Sequence, residues 1–208
     1  MICWWGELVK VKFCGISHIE DAISAEKTGA DMIGVVVDYS SPRYVKYEFI
    51  KIVKRFVSLP VVMVKVNGSI DEIVKEGQNA DLIQIHRVLS KEELGLLHSY
   101  SKRFILYVPA SNEYKGYFKS AISSGFDVLV DVPKKGEKLN LSLVKEWVRE
   151  YSDVGIGGGI TPDNAIEYAS LNPKWIDISS GIEKYKGKKD LEKMRKIVEV
   201  IKGWRFIQ

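Results

Sequence analysis

The chain has 208 residues, of which 46% are apolar and 28% charged, a balance that suits one large domain or two small ones and excludes disordered and collagen-like polypeptides. Its formal net charge of +4 comes from Lys and Arg interleaved with Glu and Asp along the helical stretches, which describes an ion-paired surface and offers no basic face to nucleic acid. Cys3 and Cys14 lie too close to the N-terminus to frame a disulfide scaffold, the opening apolar run is cut by Gly6 and Glu7, and no apolar stretch reaches membrane-spanning length. A cytoplasmic protein without a signal peptide or membrane partner is therefore expected.

Val9–Cys14 is the first β-rich run, followed by helical periodicity over Ile19–Lys27. The second strand, Asp31–Val37, leads into a loop carrying Ser41, Pro42 and Arg43. Pro60–Val66 and the helix Ile70–Gly77 come next, then Leu82–His86 and a helix over Lys91–Tyr100. Ser90 is the expected N-cap of that helix, with acidic residues in the first turn. Strands five to seven fall at Arg103–Val108, Val128–Asp131 and Val154–Gly157. The helix Asp163–Ala169, with Asp163 as its expected cap after Pro162, precedes the last strand, Trp175–Ser179, and the closing helix Leu191–Lys202.

Eight strand–helix units without a linker predict an α/β fold: a single-domain (β/α)8 TIM barrel over residues 1–208, at the small end of that fold's size range. An open doubly wound sheet shares the alternation. Two features favour the barrel. The strands are near-continuous apolar runs with no amphipathic edge strand, and the chemically capable residues gather at strand C-terminal ends, which in a barrel share one mouth.

Gly157, Gly158 and Gly159 follow strand seven, and Ser179, Ser180 and Gly181 follow strand eight. Consecutive glycines let backbone N–H groups approach a dianion, and barrels of this type often hold phosphate between these two loops. A tight turn and a capped helix are the bland reading of the same residues. Cys14 is either an inert small hydrophobe or, at a strand end facing the mouth, a base, which needs nearby positive charge to ionise. Asp131 is either a turn-capping carboxylate or a proton donor whose pKa is raised by depth. Arg43 has the planar fork that suits a carboxylate, and also suits a surface ion pair. No second His or Cys stands at ligand spacing beside a histidine, so no metal is expected. No dinucleotide fingerprint or P-loop is present, so no cofactor is expected either.

Val-Lys-Phe-Cys-Gly-Ile at 11 to 16, Gly-Ala-Asp-Met-Ile-Gly-Val at 29 to 35, Ser-Pro-Arg-Tyr-Val at 41 to 45, Gln-Ile-His at 84 to 86, Gly-Gly-Ile-Thr-Pro-Asp-Asn at 158 to 164 and Ile-Asp-Ile-Ser-Ser-Gly-Ile-Glu at 176 to 183 occur in one order over nearly the whole chain. Together they resemble the phosphoribosylanthranilate isomerase family of tryptophan biosynthesis. The resemblance implies a cofactor-free Amadori rearrangement of N-(5'-phosphoribosyl)anthranilate by a monomer or homodimer. It also implies Cys14 as general base on the C2 proton and Asp131 as general acid on the ring oxygen. Arg43, His86 and Asp177 are then expected to contact substrate, and the two loops to hold phosphate. Cys14 must accordingly be ionised while Asp131 keeps its proton. A binding barrel without turnover, or another sugar-phosphate isomerase of this fold, is the alternative.

The chain departs from the family after strands four and six. Arg87 stands where a glycine is usual, and the run from Val132 to Lys138 replaces a glycine-rich loop. Arg87, Lys134 and Lys135 are expected to add positive charge at the mouth. Residues 1–8 precede the usual family start and read as an extension.

Overall fold

Runs in which Val, Ile and Leu fill nearly every position bury both faces, as parallel strands inside a shell of helices require. In the computed structural model, which describes residues 9–134, 136–151 and 153–203, these runs form β1 (Lys10–Cys14), β2 (Met32–Val36), β3 (Val61–Lys65), β4 (Leu82–Ile85), β5 (Arg103–Pro109), β6 (Asp127–Asp131), β7 (Val154–Ile156) and β8 (Trp175–Ile178). All pair in parallel with their chain neighbours, and β8 returns to β1 to close the expected TIM barrel. Every strand end falls within one residue of its expected place. The extension at 1–8, with Cys3, and the loop residue Lys135 lie outside the described residues.

Around the barrel run α1 (Ile19–Thr28), α2 (Glu48–Val53), α3 (Ile70–Glu76), α4 (Lys91–Leu97), α5 (Lys115–Ser123), α6 (Leu141–Glu150), α7 (Ala165–Ala169) and α8 (Leu191–Gly203). Ser90 caps α4 as expected, in a reciprocal capping box with Glu93, and Ser69 does the same for α3 with Glu72. Two helix boundaries differ from expectation. The regular part of α4 stops at Leu97, before Tyr100. The first residue of α7 is Ala165 and its N-cap position is Asn164, because the Asn164 side chain accepts the Thr161 N–H at 2.7 Å and tightens the turn that Asp163 was expected to cap. A hairpin of β9 (Glu183–Tyr185) and β10 (Lys188–Lys189) lies between β8 and α8 and was not foreseen. Among the described residues no helix is long and apolar enough to cross a membrane.

Strand alternation divides the core in two. Outward residues pack against the helices, as where Phe118 of α5 stacks on Trp147 of α6 at 4.3 Å. Inward residues, among them Val36, Val62, Leu82, Ile105, Leu129 and Trp175, fill the barrel. Trp175 is 2% exposed, and its indole lies across Gly155 on the neighbouring strand, where an added Cβ would sit 2.0 Å from Cε2. With no room for the ring to retreat, Gly155→Ala is expected to destabilise the barrel by about 1–3 kcal/mol, read as a melting midpoint lower by roughly 2–4 °C per kcal/mol. An unchanged midpoint would mean that the ring has somewhere else to go.

Candidate active site

The floor of the mouth is polar. Lys12 and Cys14 occupy alternate positions of β1 and so share its inward face. Lys12 is fully buried, and its Nζ donates to Gln84 Oε1 at 2.8 Å and to Asp177 Oδ2 at 2.9 Å, tying β1 to β4 and β8. Cys14 is buried above it, and opposite the thiol stands Gly34, where a Cβ would come 2.9 Å from Sγ. Burial pushes the Cys14 thiol up from its ordinary value; Lys12, Lys189 and Arg43 oppose that rise and Asp177 adds to it.

Asp131 ends β6 at the opposite side of the mouth. Its Oδ1 accepts the Val132 N–H at 2.6 Å, so the carboxyl also caps its own turn. Crowding by protein raises its pKa to about 7, with Asp177 adding to the rise and Lys12 and the Val132 bond opposing it. A protonated carboxyl is therefore accessible near neutral pH. His86 follows β4 directly, its ring against that of Tyr107 at 4.3 Å and its Nδ1 at 3.1 Å from Gln84 Nε2. Burial lowers its pKa to about 4, so the imidazole is neutral at physiological pH. The Tyr107 hydroxyl donates to Val132 O, pinning the loop that follows Asp131.

Arg43 lies over Gly15, just above Cys14, and its fork is engaged. Nε and Nη2 donate to the two Glu183 oxygens at 2.6 and 2.8 Å, a bidentate pair with side chains 14% and 7% exposed. Lys189 Nζ donates to Ser179 O at 3.0 Å and to Glu183 Oε1 at 3.4 Å, and the Gly187 N–H also reaches Glu183. The β9–β10 hairpin therefore carries the residues that hold Arg43 over the thiol.

The loops after β7 and β8 meet closely. A Cβ on Gly181 would stand 1.8 Å from Ile160 O, and Ser180 opens a single 3-10 turn against the other loop. Gly157 commits its N–H to Val130 O at 2.9 Å, in continuation of the barrel ladder. Gly158 and Gly159 turn through positive φ, 102° and 67°, and direct their carbonyls to Tyr168 and Asn164. Their N–H groups meet no partner among the described residues. A Cβ at Gly157 or Gly158 would fall 2.9 or 2.8 Å from an Asp131 oxygen, so these glycines also make room for that carboxyl.

Cys14, Asp131, His86 and Asp177 come together at one mouth, with Arg43 above Cys14 and the two loops at the rim. Arg87 does not add free charge there: its guanidinium makes a bidentate pair with Glu93 at 2.9 and 2.6 Å and donates to Val66 O and Gly68 O. Lys134 is exposed in the loop after β6. Lys12, Gln84, Glu183 and Lys189 are the site residues that the sequence reading missed. Lys12 carried a legible signal, a lysine two positions before Cys14 on an otherwise apolar strand. Among the described residues no cluster of His, Cys, Asp and Glu is arranged to hold a metal ion.

The family model for N-(5'phosphoribosyl)anthranilate (PRA) isomerase matches residues 11–200 of this chain. The N-(5'-phosphoribosyl)anthranilate isomerase of Sulfolobus acidocaldarius is 57% identical over 97% of the chain and 100% of its own length. A solved phosphoribosyl anthranilate isomerase in complex with reduced 1-(o-carboxyphenylamino)-1-deoxyribulose 5-phosphate superposes with a TM-score of 0.82 at 26% identity, covering 94% of this chain and 100% of that one. Monomers of the dimeric phosphoribosylanthranilate isomerase from Thermotoga maritima superpose with a TM-score of 0.83, also at 26% identity and with the same coverage.

Proposed function

The chain belongs to the N-(5'-phosphoribosyl)anthranilate isomerase family, as an aldose–ketose isomerase of tryptophan biosynthesis, and we propose that Cys14 and Asp131 divide the proton transfers of its reaction. The observation that carries this reading is the shared setting of the two groups. Cys14 shares the inward face of β1 with Lys12, which is bonded to Asp177, and Asp131 ends β6 across the barrel, so the two groups face one space from opposite walls.

The aminoaldose first opens. Asp131 gives its proton to the furanose oxygen, the C1–O bond breaks with its electron pair left on oxygen, and the nitrogen lone pair forms the C1=N iminium. The Cys14 thiolate then takes the proton from C2. The C–H pair becomes a C1=C2 double bond, and the iminium pair returns to nitrogen. Loss of the enol hydroxyl proton and protonation of C1 give the 1-deoxyribulose product. C1 is reduced as C2 is oxidised, so the electrons balance within the substrate.

The Gly158 and Gly159 amides, with Ser179, Ser180 and Gly181, take the phosphate; Gly157 serves this loop by its lack of a side chain, its amide being spent. Neutral His86 and Asp177 lie on the sugar's side of the mouth. Arg43 reads the anthranilate carboxylate through its Nη1–Nη2 edge, since Glu183 holds the other. A lysine cannot present two edges at once. In an assay following the fall of substrate fluorescence, Arg43→Lys is expected to raise KM by about ten-fold or more and to leave inhibition by inorganic phosphate unchanged. An unaltered KM would remove Arg43 from the anthranilate subsite. The reading is completed by one barrel domain spanning the chain, acting in the cytoplasm on a small phosphorylated substrate as a monomer or homodimer.

A further inference from the structure

We propose that Lys12 is a positioning residue of the isomerisation: its buried ammonium lowers the cost of ionising the Cys14 thiol when it acts as base, and fixes the Asp177 carboxylate beneath the substrate. The inference rests on Cys14 being the base.

A lysine with no exposed surface remains charged only where hydrogen bonds and an opposite charge offset the cost of its burial. Two of its protons are placed by geometry, on Gln84 Oε1 at 2.8 Å and Asp177 Oδ2 at 2.9 Å. The Cys14 sulfur lies two residues along the same inward strand face, where the ammonium favours its thiolate. Burial alone would lower the lysine's pKa, but Asp177 and Cys14 outweigh it, so the group stays an ammonium.

The other charged groups around the thiol are less well placed. Arg43 and Lys189 approach it from the loop after β2 and from β10, yet both already share Glu183. Asp177 of β8 works against thiolate formation, while Asp131 and His86 face Asp177 and Lys12 across the mouth. Lys12 is thus the cation whose removal the thiolate feels most. The same bond that ties Asp177 Oδ2 leaves Oδ1 buried with no hydrogen-bond partner among the described residues.

A lysine that merely plugged the barrel could be replaced by methionine with a loss of stability alone. The charge role makes a different prediction. In a Cys3→Ser background, the rate of Cys14 alkylation by iodoacetamide against pH gives the thiol's midpoint. Lys12→Met is expected to raise that midpoint by about one pH unit or more, and Asp177→Asn to lower it. With Lys12→Met, kcat at pH 7 should fall about ten-fold or more while KM holds, and the deficit should shrink as pH rises. Midpoints that coincide with the parent's, or that move in the same direction in both variants, overturn the proposal. Should Lys12→Met fail to fold, the double variant Lys12→Met/Asp177→Asn, which leaves no buried charge unpaired, is compared with Asp177→Asn: a higher midpoint in the double supports the role, and an equal or lower one overturns it. If Cys14→Ser instead keeps the parent rate, it is the assignment of the base that fails, whatever the alkylation shows.

Discussion

Asp131→Asn is expected to lower kcat by about 10²–10⁴-fold while the protein still binds product. The amide has nearly the shape of the carboxyl it replaces. It can fit the space left by Gly157 and Gly158, and its carbonyl can accept the Val132 N–H that Asp131 now holds at 2.6 Å. What it cannot do is hand a proton to the ring oxygen. Ring opening then depends on water, while the amides and hydroxyls of the β7 and β8 loops are untouched and product affinity is maintained. Stopped-flow turnover together with product titration separates the two effects. A variant with the parent rate would strip Asp131 of the acid's role, and one that lost product affinity in proportion to kcat would make it a binding group.

Alanine at Gly157 or Gly158 offers a contrast, because the new methyl would push on the carboxyl itself. The glycines proposed as a phosphate cradle also make room for that carboxyl, and this explains how a carboxyl at the end of an apolar strand comes to be packed tightly enough for its pKa to reach about 7.

The barrel was legible because strands buried on both faces leave a signal that periodicity cannot blur: β2, β3 and β5 are apolar at almost every position, and their ends are punctuated. Ser90 announced α4 through local hydrogen bonds that a four-residue window contains. Asn164 did not, since its competition with Asp163 is settled by which side chain reaches the Thr161 N–H. The β9–β10 hairpin was invisible for another reason. Its residues from Glu183 to Lys189 are mostly charged, and they are ordered by long-range bonds such as Lys188 to Asp21 and Arg43 to Glu183 rather than by alternation.

At the site, residue type and position picked out Cys14 and Asp131 as candidates, and the family motifs supplied their roles. The network beneath them was not readable, because Lys12, Gln84 and Asp177 are 72 and 165 residues apart along the chain and meet only when β8 closes on β1. The ionised thiol that the resemblance implies is opposed by its surroundings. Burial raises Cys14 above its ordinary value while Asp131 sits at about 7. The form with the thiol ionised and the carboxyl protonated is therefore the minor tautomer of the singly protonated pair.

That inversion gives Cys14→Ser its distinctive result. In the parent, the productive form is one of the two singly protonated states, so kcat/KM should climb as pH rises through about 7, where the doubly protonated pair loses its first proton. It should fall again only above the thiol's raised value, when the last proton leaves. Serine in place of Cys14 has no accessible anion at these pH values and should cost about 10²–10⁴-fold in kcat. The activity that remains uses Asp131 alone as acid. Its dependence on pH must then run the other way, declining through about 7 as Asp131 loses its proton, in the interval where the parent gains activity. Opposed slopes in parent and variant would identify the base and the acid together. Parallel slopes would show that the titration near 7 belongs to another group and that the pair is wrongly assigned.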